Sequence, residues 1–180
     1  MDDAFLIQQA IAGQRDAFRL LVLRWQKPIF RFLSLLGLPP ALVDDLAQEV
    51  FLRVFRNLAS FEAGRASFST WLFTIARNLA ANEAQRAHHQ REQLALAPVD
   101  NADPAADQLQ TLATKQRGVR LKLALAKLPA RLRSVLLLSQ VEGLSVEEVA
   151  AVEGCATGTV KSRVFRARQL LRAALAEEES

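Results

Sequence analysis

Apolar side chains recur every three or four residues along most of this chain, the spacing that lines them up on one side of an α-helix. From Asp3 to about Arg86 the pattern is dense. Phe18, Leu21 and Val22, followed by Trp25, Ile29 and Phe32, predict one helix or a helix pair, with Pro28 at a kink or near a helix start. Gly37-Leu-Pro-Pro40 breaks the pattern. A third helix is predicted from about Ala41 to Leu58, with Leu46, Val50, Phe51, Val54, Phe55 and Leu58 on its buried side. A short loop, Glu62 to Ser67, leads to a fourth helix from about Ser69 to Ala87. From His88 to about Thr111 the periodicity fades, and Pro98, Asp100, Asn101, Asp103, Pro104 and Asp107 mark a polar, mildly acidic linker. Its first part, Gln90 to Leu96, has the composition to prolong the fourth helix. Periodicity resumes from about Leu112 to Leu175, again helical throughout, with no alternating strand pattern and no internal repeat. The chain reads as all-α: two small helical domains, residues 1–90 and 112–180, joined by a flexible linker at 91–111.

Composition supports this picture. The 180 residues are 51% hydrophobic, rich in Leu, Ala and Arg, and lack Tyr, which favours packed helices over strands or disorder. A net charge of +4 and a pI near 9.8 allow nucleic-acid binding without requiring it. The single cysteine, Cys155, precludes an internal disulfide and suits a reducing cytoplasm; as a turn residue it is expected to pack between two helices. The start carries acids rather than a basic leader, and no apolar run nears the ~20 residues that cross a bilayer, so a cytoplasmic protein without membrane insertion is expected. His88 and His89 have no companion ligands at zinc spacing, and no metal or cofactor is expected.

The sharpest local signal runs from Leu144 to Arg172. Ser145-Val-Glu-Glu148 has the form of a capping box, so a helix should start there, with Val146, Val149, Ala150 and Val152 buried. Gly154 supplies a turn, and Thr157 is suited to cap a second helix. On that helix Val160, Val164, Ala167 and Leu171 form one apolar stripe, and the other faces carry Lys161, Arg163, Arg166, Arg168 and Arg172. This is a helix-turn-helix with a one-sign exposed surface. Thr159, Ser162 and Arg163, near the N-terminus of the second helix, are placed for base edges, and Lys161, Arg166 and Arg168 for phosphates. An arginine-rich helix alone reads equally well as a solvated surface helix; the capped partner helix and turn favour DNA.

Two further helix faces are candidates. The third helix shows a polar face of Asp45, Gln48, Glu49, Arg53 and Arg56, which a plain surface helix would also have. The fourth buries Trp71, Leu72, Ile75 and Leu79 and carries a second stripe, Thr74, Asn78, Asn82 and Gln85. Amides are mediocre helix formers, and they pair with adenine edges, while aromatic side chains stack on unpaired bases. Arg65, Arg77 and Arg86 lie close enough in sequence to hold a nucleic-acid backbone. Such stripes are also ordinary on helices, so chemistry alone leaves both readings open.

Together these stretches resemble the extracytoplasmic-function sigma factors, the minimal members of the bacterial primary-sigma family. Asp44-Asp-Leu-Ala-Gln-Glu-Val-Phe-Leu-Arg53 is similar to that family's region 2 helix, and Phe68 to Asn82 to its promoter-melting segment. Leu128 to Leu136, Glu142 to Ala150 and Gly158 to Arg168 are similar to region 4. The resemblance implies an alternative sigma factor, not an enzyme. It would bind core RNA polymerase through the largest-subunit coiled coil and the flap, direct it to promoter DNA, and be controlled by an anti-sigma factor that would hold it near the inner membrane. Asp45, Gln48, Glu49 and Arg53 would dock on the coiled coil. Phe61, Gly64, Arg65, Ser67, Trp71, Thr74, Arg77, Asn78, Asn82 and Arg86 would read and melt the −10 element, with a flipped base held by the loop from Phe61 to Ser67. Thr157, Thr159, Lys161, Ser162, Arg163, Arg166 and Arg168 would read the −35 element, and the linker would run toward the polymerase cleft. The turn from Gly154 to Gly158 departs from the family in lacking its common proline, which leaves the −35 preference open.

Two rivals differ in class. A response-regulator type of transcription factor shares the Thr-Val-Lys pattern but normally carries an upstream αβ domain, and no strands are predicted here. A helical adaptor would not need both a basic helix-turn-helix and the Trp-Asn stripe. For a sigma factor, two weak readers on one tether imply that the free chain binds duplex promoter DNA poorly and gains specificity on the polymerase.

Overall fold

A computed structural model describes the backbone of residues 2–94 and 112–177, and the side chains of 2–87 and 118–176. Among these residues every regular element is helical: α1 (Asp3–Ile11), α2 (Arg15–Leu35), α3 (Pro40–Asn57), a 3-10 turn (Leu58–Ser60), α4 (Phe68–Leu94), α5 (Leu112–Ala126), α6 (Ala130–Gln140), α7 (Val146–Glu153) and α8 (Thr157–Glu177). The first four helices make one block and the last four another. The sequence from Gln90 onward does prolong α4, as far as Leu94; residues 95–111 of the expected linker lie outside the described residues.

The first block packs α2, α3 and α4 around Leu21, Ile29, Phe32, Leu33, Val50, Val54, Leu72 and Phe73, all essentially excluded from water. Fully burying one such side chain contributes roughly 1.5–3 kcal/mol. Phe32 and Phe73 meet edge to face at 5.4 Å, and Trp25 approaches Phe73 at 6.3 Å. The α2 helix runs unbroken through Pro28, so of the two readings, one helix or a pair, the single helix of 21 residues is the one found. A further helix, α1, packs beside α2 and is held by Asp3, whose carboxylate accepts from Trp25 Nε1 at 3.1 Å and pairs with Arg24.

The second block wraps α5, α6 and α7 on α8, burying Leu125, Val135, Leu137, Leu138, Val149, Val160 and Ala167. The capping box is formed as predicted: Ser145 Oγ accepts from Glu148 N–H at 3.2 Å, and Glu148 Oε2 accepts from Ser145 N–H at 2.9 Å. Gly154 closes α7 in the left-handed region, at φ 63° and ψ 40°. Thr157 does not cap α8. The N–H groups of Thr159 and Val160 both donate to the Ala156 carbonyl, so Ala156 stands at the cap position and Thr157 is already helical.

The two blocks touch. Their buried side chains form one continuous cluster, with α7 seated on α4 and α6 beside α2. Arg133 of α6 crosses the junction. Its Nη1 donates to the Leu36 carbonyl at 2.6 Å, and its Nη2 to the carbonyls of Ala126 and Leu128 at 2.7 and 2.9 Å. Burial lowers its pKa from the ordinary arginine value. Gly37 makes this approach possible: a Cβ there would lie 2.5 Å from Arg133 Nη1.

Candidate nucleic-acid interface

On α8 the helical period places Val160 and Ala167 in the core, with Val164 and Leu171 half-buried, and turns the cationic face outward. Thr157, Lys161, Ser162, Arg166 and Arg168 are exposed, and Thr159 and Arg163 half-buried. Ser162 Oγ donates to the Thr159 carbonyl at 2.9 Å, Arg168 Nη2 to Gln140 Oε1 at 2.5 Å, and Arg163 Nη1 lies 3.8 Å from Cys155 Sγ. Cys155 is half-buried against the core in the turn, the packing role expected of it. Phe165, which the sequence reading passed over, stands 65% exposed among these cations. The sequence signal that marks it is an aromatic on an otherwise polar helix face.

At the other end, the loop before α4 and the start of α4 line an open cavity of about 170 Å³ bounded by Ser60, Phe61, Glu62, Arg65, Ala66 and Trp71. Phe61 lies tilted on Trp71 at 5.2 Å and edge-on to buried Phe68 at 5.7 Å, so the cavity wall is fixed by the core. Arg65 reaches Glu62 at 3.3 Å at the rim, and Gly64 is exposed beside it. Along α4, Asn78 and Asn82 face solvent, and Arg86 pairs with Glu83 at 2.5 Å. Thr74 donates its hydroxyl to the Thr70 carbonyl at 2.7 Å, which satisfies it within the helix. The sequence thus brings Phe61, Arg65 and Trp71 to one cavity and Asn78 and Asn82 to one face.

Ser67 and Arg77 are engaged elsewhere. Ser67 Oγ lies 2.6 Å from Glu148 Oε1, and Thr70 Oγ1 lies 3.1 Å from the same oxygen. Arg77 Nη2 pairs with Glu153 Oε2 at 3.3 Å, and Ser134 donates to Glu153 Oε1 at 2.5 Å. The Ser67 hydroxyl first, then the Ser145 and Thr70 bonds, hold the Glu148 carboxyl below its ordinary pKa. Nothing in helical periodicity marks Thr70, Ser134, Arg133 or Glu153. Only the capping box drew attention to Glu148, and then for its local role.

On α3, Asp45, Gln48 and Arg53 are exposed, and Glu49 accepts from Arg53 Nε at 2.7 Å. On this helix one expectation is overturned: Phe55 does not join the buried side of α3. It is 62% exposed, edge-on to Phe18 at 5.0 Å, and with Leu52 (47% exposed) adds an apolar strip beside the polar face. Phe55 lies one position past Val54, about 100° round the helix, so only one of the two can point at the centre of the core. The described residues contain no group of three or more His, Cys, Asp or Glu placed to hold a metal, and no helix long and apolar enough to cross a membrane. His88 and His89 fall on α4, with side chains outside the described residues.

These elements have known counterparts. The family model for Sigma-70 region 2 matches residues 21–90, and that for Sigma-70 region 4 matches residues 118–171. The chain is 32% identical to the ECF RNA polymerase sigma-E factor of Escherichia coli (strain K12) over 185 aligned positions, covering 95% of this chain and 93% of the relative. It is 33% identical to the RNA polymerase sigma-H factor of Pseudomonas aeruginosa, covering 96% and 93%. Among solved structures it is similar to the sigma factor RpoE from Bartonella quintana, captured with the anti-sigma factor NepR. That likeness has a TM-score of 0.78 and 29% identity over 88% of this chain and 96% of that one. CnrH in complex with the cytosolic domain of CnrY gives a TM-score of 0.72 and 29% identity over 99% of both. The cavity-bearing α2–α4 block and the helix-turn-helix block therefore correspond to regions 2 and 4, in that order, and the chain belongs to the extracytoplasmic-function sigma factors of the sigma-70 family.

Proposed function

We propose that this chain binds core RNA polymerase and directs it to promoters, with residues 1–90 engaging polymerase and the −10 element and residues 112–180 reading the −35 element. The observation that carries this reading is the match to both sigma regions, in order, on one chain. The polar face of α3 at Asp45, Gln48, Glu49 and Arg53, widened by Leu52 and Phe55, is the polymerase-docking surface. An apolar strip flanked by charges suits a helical partner, because the strip supplies burial and the charges supply register. The flap contact is assigned to the second block. The aromatic cavity at Phe61 and Trp71 accepts a base turned out of the −10 element. Extraction costs a few kcal/mol of stacking, which a rigid aromatic wall recovers. Gly64 lets the loop tip pass close to the strand, Arg65 and Arg86 hold its backbone, and Thr74, Asn78 and Asn82 line the bases that follow. Ser67 and Arg77 join them once free of their present partners.

On α8, Thr159, Ser162 and Arg163 face base edges, and Thr157, Lys161, Arg166 and Arg168 the flanking phosphates; exposed Phe165 is suited to a thymine methyl. The likeness to RpoE bound to NepR supports control by a separate anti-sigma protein. CnrH, captured with a cytosolic domain, supports action in the cytoplasm. The test adds the purified chain to core RNA polymerase on genomic fragments and sequences the transcripts. New start sites sharing upstream elements are expected; unchanged start sites would overturn the reading. In the same assay Asn78→Ala should reduce promoter opening more than polymerase binding, whereas equal loss of both would remove Asn78 from the base-reading set.

A further inference from the structure

The cations of α8 meet no acid on their own helix, since none occurs from Thr157 to Ala176. Lys161, Arg166, Arg168 and Arg172 all stand exposed. Arg168 is held from another helix: its Nη2 donates to Oε1 of Gln140, the last residue of α6, at 2.5 Å. Gln140 is itself oriented, because its Nε2 donates to Ser139 Oγ at 2.7 Å, which leaves the carbonyl end for the guanidinium. The helical period explains the meeting. Arg168 follows buried Ala167 by one position, about 100° round α8, on the flank toward α6. Elsewhere in the chain exposed guanidiniums meet carboxylates: Arg53 meets Glu49, Arg65 meets Glu62 and Arg86 meets Glu83. A carboxylate offsets the charge of the arginine. A neutral amide takes one N–H and leaves the charge and the remaining donors free for an anion.

We propose that Gln140 is a positioning residue for DNA, holding Arg168 toward a phosphate of the strand that flanks the recognition helix. The placing of α8 on DNA rests on the function proposed above; Gln140 adds α6 to that interface. An arginine side chain has several rotatable bonds, and ordering one at an interface lowers affinity by about threefold to tenfold. An amide that orders it beforehand removes that cost from binding without removing charge from the interface. Counterion release depends on how many charges meet phosphates, and not on how well each is oriented. Gln140 therefore acts on affinity and leaves salt dependence alone, whereas Arg168 acts on both.

The experiment is a double-mutant cycle on the full chain, read by anisotropy on a labelled duplex of arbitrary sequence at several salt concentrations. Gln140→Met keeps the length of the side chain and loses the acceptor. It should weaken binding about threefold to tenfold and leave the salt slope unchanged. Arg168→Ala should lower the slope by about one phosphate. Adding Gln140→Met to Arg168→Ala should weaken binding no further, whereas adding it to Arg166→Ala should keep its whole effect. A Gln140 that only supported the fold would lose affinity in both backgrounds. Gln140→Glu decides the matter if the methionine variant loses its helical circular dichroism. It keeps the acceptor but offsets the charge, so its slope should fall about as far as that of Arg168→Ala. Binding at parent strength by Gln140→Met, a full methionine effect without Arg168, or a slope untouched by Arg168→Ala would overturn the proposal. So would a Gln140→Glu slope equal to that of the parent. Failure of the sigma reading would look different, as a parent chain that starts no new transcripts on core RNA polymerase, while the cycle on plain duplex gives its result regardless.

Discussion

The carboxylate of Glu148 accepts from the Ser145 N–H on one oxygen and from Ser67 and Thr70 on the other, so a single side chain both starts α7 and ties it to the opposite block. The first role was readable from Ser145-Val-Glu-Glu148, because a capping box is a contact over three residues of sequence. The second joins residues 81 positions apart, and no local pattern encodes it. The two roles separate by substitution. Glu148→Gln should retain both bonds of the capping box and weaken the junction, whereas Glu148→Ala should also lose the bond from the Ser145 N–H while Ser145 Oγ still accepts from the N–H of residue 148, a further cost below about 1 kcal/mol. The pH dependence has a definite sign. The pKa of this carboxyl is lowered in the folded chain from 4.5, so its stabilisation is present above that value and is lost as pH falls through the folded pKa. Urea melts of parent and Glu148→Gln should therefore differ at pH 7 and converge as the medium is made more acidic than pH 4.5; a gap that widened on acidification would contradict the assignment.

Three helices of the first block, α2, α3 and α4, could be read from apolar spacing and its interruptions, and so could the capped α7 and basic α8, because amphipathic periodicity records which side of each helix faces the core. What periodicity blurs is the edge of a stripe. Phe55 sits at such an edge and was drawn to the buried side by its size, whereas the structure stands it against Phe18 on the surface. Pro28 was ambiguous because proline marks either a kink or a helix start, whereas α2 runs through it unbroken. Glycine carries a sharper signal when the backbone needs it, and two of them allow a controlled comparison. Gly154 and Gly37 both have positive φ, 63° and 81°, but a Cβ at Gly154 meets nothing within 4 Å, while one at Gly37 would press on Arg133. Gly154→Ala should cost about 1 kcal/mol from backbone strain alone. Gly37→Ala should cost more, because the Arg133 guanidinium must also leave the Leu36 carbonyl. Thermal melts of the two variants decide this, and equal losses would mean that Arg133 moves aside without penalty.

At the scale of the whole molecule, the division into two helical blocks was visible in the sequence, but their mutual packing was not. The residues that make the junction, Arg31, Arg133, Thr70 and Glu153, each look like an ordinary helix residue until both blocks are folded. That junction changes what is expected of the free chain on DNA. Its uncovered cationic face is α8, where Lys161, Arg166, Arg168 and Arg172 are exposed. A surface of this kind binds duplex DNA by releasing counterions, with log K falling by about 0.9 per neutralised phosphate for each log unit of salt, and with little regard to sequence. The isolated chain should accordingly bind promoter and non-promoter duplexes alike, at roughly the micromolar or weaker level typical of non-specific contacts. Lys161→Ala should lower the salt slope by about one phosphate on both duplexes, and Asn78→Ala should leave free-chain binding unchanged. On the assembled polymerase the two readers are tethered to one promoter, so effective concentration makes weak contacts act together and a preference for the promoter emerges. Filter or anisotropy titrations at several salt concentrations, run with and without core enzyme, test this, and a free chain that selected its promoter tightly would contradict it.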